Sequence, residues 1–89
     1  MLVPVQYLPA VRDALERVPD KLRRQIIKRA ESLAINPRPL GWDKIEGAQE
    51  TLYRVRQGSY RIFYTIEGRQ VTIVWVSDRK EAYTKKGRR

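Results

Sequence analysis

The stretch Leu52-Tyr53-Arg54-Val55-Arg56-Gln57-Gly58-Ser59-Tyr60-Arg61-Ile62-Phe63-Tyr64 decides the fold of this chain. Residues suited to strands flank Gly58 on both sides, which predicts two antiparallel strands joined by a tight hairpin. Side chains two apart on a strand share a face. Tyr53, Val55, Tyr60, Ile62 and Tyr64 then form one apolar set, and Arg54, Arg56, Arg61 and Thr65, with Phe63, form the other. Three guanidiniums on one sheet face repel one another and build no core, so packing alone does not select them. They suit a polyanion, because a planar guanidinium grips phosphate through two parallel hydrogen bonds. Outward cations can also simply discourage sheets from pairing. A face of that kind usually mixes signs, whereas Glu50 and Glu67 lie only at the strand ends.

Working outward, strand-like runs cover 51–56, 59–66 and 70–76, with Gly58 and Gly68 at the two connections. Upstream, Val3, Val5 and Tyr7 alternate as a short strand, which Pro4 confines to an edge or to a start after it. Pro9 suits the first turn of a helix that points Val11, Ala14, Leu15 and Val18 inward, and Pro19 ends it. Asp20 is placed to cap a second helix, with Leu22, Ile26, Ile27, Ala30, Leu33 and Ala34 at helical spacing, stopping near Asn36. Pro37, Pro39 and Gly41 mark a loop, and Trp42 and Trp75 read as core or loop anchors. The expected fold is therefore α+β: an N-terminal strand and two helices packed on a twisted, mainly antiparallel four-stranded sheet.

Eighty-nine residues make one domain, 1–89, able to bury roughly 60–65% of its unfolded surface. Nineteen Lys and Arg against ten Asp and Glu leave a net charge of +9, which favours nucleic acid or another acidic partner. No apolar run reaches the ~20 residues of a membrane span, so no membrane partner is expected and the cytoplasm is the expected location. Cysteine and histidine are both absent, which removes thiolate nucleophiles, the commonest metal ligand and the usual neutral-pH acid–base group. No cofactor or metal is expected. Just after the last strand, Ser77-Asp78-Arg79-Lys80-Glu81-Ala82-Tyr83 offers Arg79 for a phosphate and Tyr83 for stacking on a base. The basic side chains of the second helix (Lys21, Arg23, Arg24, Lys28 and Arg29) read as a solvated face that adds long-range attraction to RNA.

Leu52-Tyr53-Arg54-Val55-Arg56 with Gly58, Tyr60-Arg61-Ile62-Phe63-Tyr64, and 76–83 together resemble the RelE/ParE superfamily of bacterial type II toxins, most like the RelE branch. Asn36-Pro37-Arg38-Pro39 after two helices and Lys44-Ile45-Glu46-Gly47 before the sheet fit the same pattern. The resemblance implies a toxin that enters the ribosomal A site and cuts messenger RNA, by metal-free attack of a ribose 2′-hydroxyl on the adjacent phosphate. Messenger RNA, ribosomal RNA and a cognate acidic antitoxin are the implied partners. Carried over by position, the resemblance has Arg54 steady the phosphate, and Arg56 take the general-base position. Arg61 would neutralise transition-state charge, Arg79 serve the leaving oxygen, and Tyr83 stack on or orient a base. The family pattern has Lys at positions 54 and 56. A guanidinium does not deprotonate, so Arg56 is assigned a mainly electrostatic role. Asp78 also departs, standing where many relatives carry a basic residue or histidine. Two other functions fit such a chain: a ParE-like inhibitor that binds DNA gyrase without catalysis, and a non-catalytic RNA-binding domain.

Overall fold

The computed structural model describes residues 5–39, 42–46 and 51–78. Their elements run β1 (Gln6–Tyr7), α1 (Pro9–Glu16), α2 (Asp20–Ser32), β2 (Asp43–Glu46), β3 (Thr51–Gln57), β4 (Tyr60–Glu67) and β5 (Gln70–Asp78). The sheet has five strands in the order β1-β5-β4-β3-β2; β1 joins in parallel and every other pair is antiparallel. The fold is α+β, but the expected four strands become five because Asp43–Glu46 pairs along β3. A run of four residues between two turn-rich segments carries too little pattern to announce itself as a strand.

The two hairpins turn at Gly58 and Gly68, whose φ angles are +61° and +59°. A positive φ at the first central residue is the mark of a type II′ turn, whose twist matches that of paired strands. Both turns are two residues long, so Gln57 faces Tyr60 and Glu67 faces Gln70. Register on either side is thereby fixed.

Beneath the sheet, Val55, Ile62, Tyr64, Val71, Ile73 and Val76 meet Val11, Leu15, Ile26, Ala30 and Leu33 in one buried cluster. Helix α1 lies against β5, and α2 against β3 and β4. Tyr53 and Tyr60 pack on the margin of that cluster, so the apolar set lies toward the helices as expected. The chain after α2 is tied down from below. Tyr64 donates its hydroxyl to the Pro37 carbonyl at 2.6 Å, Arg38 lies 5.6 Å from the Tyr53 ring centroid, and Trp42 packs at 5.6 Å on that ring. Trp42 thus anchors the loop.

Three local expectations change. Asp20 makes no capping bond: Pro19 is the N-cap residue, and Asp20 opens the helix, where it pairs with Arg23 and, at 3.0 Å, with Arg24. Leu22 is 39% exposed, because the buried residues of α2 are Ile26 and Ala30 and its first turn stands outside that stripe. The helix ends at Ser32, since Leu33, Ala34 and Ile35 bond three residues back rather than four.

Strand β5 carries a further irregularity. Phe63 pairs with Trp75 while Tyr64 pairs with Ile73, so Val74 is an extra residue in the ladder. Without it, Ile73 and Val76 would point to opposite faces; with it both are buried. Trp75 is displaced to the outer face and is 42% exposed, so it is no core anchor.

Candidate functional site

The face turned away from the helices is set by register. Arg54 stands opposite Phe63, Arg56 opposite Arg61, and Arg61 opposite Ser77 on β5. Their strand neighbours Val55 and Ile62 are fully buried below, so Arg54, Arg56, Arg61 and Phe63 share the outer face. Thr65 joins them opposite Thr72.

The Gly58 turn makes Arg56 and Arg61 the first pair beyond the closing Gln57–Tyr60 pair. In a two-residue hairpin that position lacks direct cross-strand hydrogen bonds and holds Cβ atoms about 4.5–5.5 Å apart. Two cations are thus held side by side at a rigid turn. Among the described residues neither makes an ion pair. An anion bridging them relieves their repulsion, and a phosphate has the oxygens to accept from both guanidiniums.

Arg54 is in a different state. Its side chain is 24% exposed and donates to Asp43 on β2 at 2.5 Å, and its buried Nε has no hydrogen-bond partner among the described residues. The hydrogen bond from Arg54, with the charges of Arg54 and Arg56, holds the Asp43 carboxyl below the ordinary carboxylate range despite some opposing desolvation. The outer face therefore mixes signs after all. The sequence offers one weak clue to Asp43, an acid placed to face Arg54 only once 43–46 is read as a strand.

Beyond Arg61 the face turns aromatic, with Phe63 paired to Trp75. The sequence signal for an outward Trp75 is the apolar spacing Val71, Ile73, Val76, which shifts from two to three within one strand. Arg79 and Tyr83 lie outside the described residues. Among the described residues no three His, Asp or Glu side chains gather in a way that could hold a metal ion.

Residues 5–83 match the family of the ParE toxin of the type II toxin–antitoxin system parDE. The fold is similar to the archaeal RelE of the RelE–RelB complex from Pyrococcus horikoshii, with 27% identity and a TM-score of 0.76 over 89% of this chain and 97% of that one. It is similar at 21% identity and TM-score 0.76 to a chain of the toxin–antitoxin complex RelBE2 from Mycobacterium tuberculosis, over 89% of this chain and all of that one. The isolated RelE toxin of Escherichia coli is 18% identical with a TM-score of 0.69, over 96% of this chain and 95% of its own. No curated protein sequence matches the chain.

Proposed function

Since the chain belongs to the ParE toxin family and is the toxin of a type II toxin–antitoxin system, we propose that it acts as an endoribonuclease on messenger RNA in the ribosomal A site. Arg56 facing Arg61 across a fixed turn carries this reading. Cleavage by a ribose 2′-hydroxyl passes through a phosphorane with extra negative charge, and preorganised cations lower that barrier without reorganising. The 2′-hydroxyl proton passes to solvent water while Arg56 favours the resulting alkoxide electrostatically, and Arg61 meets the charge on the phosphorane. Arg79 serves the leaving 5′-oxygen and Tyr83 orients a base. Arg54, neutralised by Asp43, shapes the floor beside them rather than supplying a free charge. The products are a 2′,3′-cyclic phosphate and a 5′-hydroxyl. An acidic antitoxin segment lying on the cationic face is the matching means of neutralisation.

The second reading is inhibition of DNA gyrase by binding, without catalysis. One observation favours it: the Asp43–Arg54 ion pair removes one of three cations from the face. Purified toxin added to translating ribosomes, with the resulting mRNA ends mapped, separates the two. Codon-positioned cuts that vanish with Arg61→Ala, in a folded variant that still sediments with ribosomes, are expected. Gyrase-dependent DNA breaks with intact mRNA would put the second reading first.

A further inference from the structure

The aromatic half of the outer face, Phe63 and Trp75, lies outside the buried core cluster. The Val74 irregularity brings Val76 into the core and leaves Trp75 outside it, 42% exposed. Among the described residues, Trp75 makes no ring contact. It faces Phe63 across the ladder, and Phe63 is two residues along β4 from Arg61, about 7 Å by strand geometry. Beyond Ile73, β5 has no described strand on its outer side, since β1 pairs only at Thr72 and Ile73. Among the described residues Trp75 therefore has no neighbouring strand on that side, and it also borders a cleft of about 320 Å³ beside Arg17 at the end of α1.

An indole left outside the core of a small basic protein exposes apolar surface at a cost, and a flat ring on the same sheet face as Arg56 and Arg61, which make no ion pair among the described residues, matches a definite ligand. Proteins that hold single strands combine cations tracking the phosphates with aromatic rings on which bases stack. We propose that Trp75, register partner of Phe63, is the stacking surface for a base of single-stranded RNA whose neighbouring phosphate lies between Arg56 and Arg61. The inference rests on the RNA reading above and adds to it a second base-holding residue beside the role given to Tyr83. Charge and ring together select the occupant: the cations match phosphates and the exposed indole matches a base, whereas an acidic protein segment answers the charge alone. Because a π-face is common to every base, the surface supplies affinity and register without choosing sequence.

The test uses the full chain and a single-stranded oligoribonucleotide whose 2′-hydroxyls are methylated, so that it binds without being cut. An abasic strand of the same length carries the same phosphates and no bases. Trp75→Ala is expected to weaken binding of the base-bearing strand roughly ten-fold and to leave the abasic strand within about two-fold, while Trp75→Phe retains most of the affinity. Trp75→Leu, which keeps apolar bulk without a stacking face, is expected to behave like Trp75→Ala, with unchanged thermal unfolding. Equal losses for both strands, or unaltered binding of the base-bearing strand, would overturn the role of Trp75. Failure of the RNA reading looks different: neither strand binds the unaltered protein, or binding is indifferent to Arg61→Ala.

Discussion

Asp43 and Arg54 are register partners on β2 and β3 and also an ion pair at 2.5 Å, so one of the three outward arginines is already neutralised within the fold. Its partner carboxyl is held below its usual range, chiefly by the hydrogen bond from Arg54. A carboxylate with a lowered folded-state pKa stabilises the protein above its unfolded value, and that contribution is lost as pH falls through the lower folded value. Asp43→Asn should therefore flatten the acid limb of the stability profile. It should also free a cation on the outer face and, on the proposed ribonuclease reading, tighten RNA binding and steepen its logarithmic salt dependence by about one unit. Binding measured across a salt series checks this; an unchanged slope would place Arg54 beyond the reach of phosphate.

Gly58 and Gly68 form a natural matched pair. Both have a positive φ, and a Cβ added at either meets nothing within 4 Å, so substitution by Ala costs backbone conformation rather than a clash. Each change should destabilise by roughly 1–3 kcal/mol. Only Gly58 sets the register of Arg56 against Arg61. Gly58→Ala should reduce RNA cleavage at temperatures where the protein remains folded, and Gly68→Ala should not. Equal activity in the two variants would show that the Gly58 turn does not position the cations.

Alternation around Gly58 was enough to place Arg54, Arg56 and Arg61 on one face and Val55, Ile62 and Tyr64 on the other, because period two and a two-residue turn leave little freedom. The fold class followed from the same run and from the helical spacing of Val11, Leu15, Ile26, Ala30 and Leu33. Two features of the face escaped notice for physical reasons. Asp43 acquires its meaning only through a long-range pairing with β3, which no local periodicity encodes. Trp75 was misread because an extra residue at Val74 inverts the parity of the strand, and an apolar side chain in an apolar run gives no sign of which face it takes. Asp20 looked like a cap by residue type, yet Pro19 occupies that position.

Two tyrosines govern the alkaline limit. Burial pushes both Tyr7 and Tyr64 up to about 12, and the charge of Glu31 adds to the effect at Tyr7. A raised folded-state pKa means that the neutral phenol is favoured in the native protein. That stability is complete below the unfolded value of about 10 and is lost as pH rises toward about 12. Alkaline unfolding should therefore coincide with a cooperative rise in phenolate absorbance. Tyr64→Phe should remove part of that pH dependence while costing roughly 0.5–1.5 kcal/mol near neutrality, from the lost bond to the Pro37 carbonyl. Independent, non-cooperative ionisation of both tyrosines in a folded protein would contradict their burial.

The last prediction concerns the opposition of function and stability at Arg56 and Arg61. Like charges directly across a ladder destabilise it, by a few tenths to about 1 kcal/mol. Arg56→Gln and Arg61→Gln each keep a long polar side chain and remove one charge, so each should raise the melting temperature slightly in a buffer free of multivalent anions. Inorganic phosphate or sulfate should stabilise the unaltered protein more than either variant, because the bridging site needs both guanidiniums. Cleavage should meanwhile fall by ~10²–10³ in each variant, as expected for loss of one preorganised charge at a reacting centre. If both changes also remove the same interaction, the double variant should lose much less activity than the product of the single losses. Variants that lose activity without gaining stability, and whose response to phosphate matches the unaltered protein, would show that the two arginines do not act as one anion site.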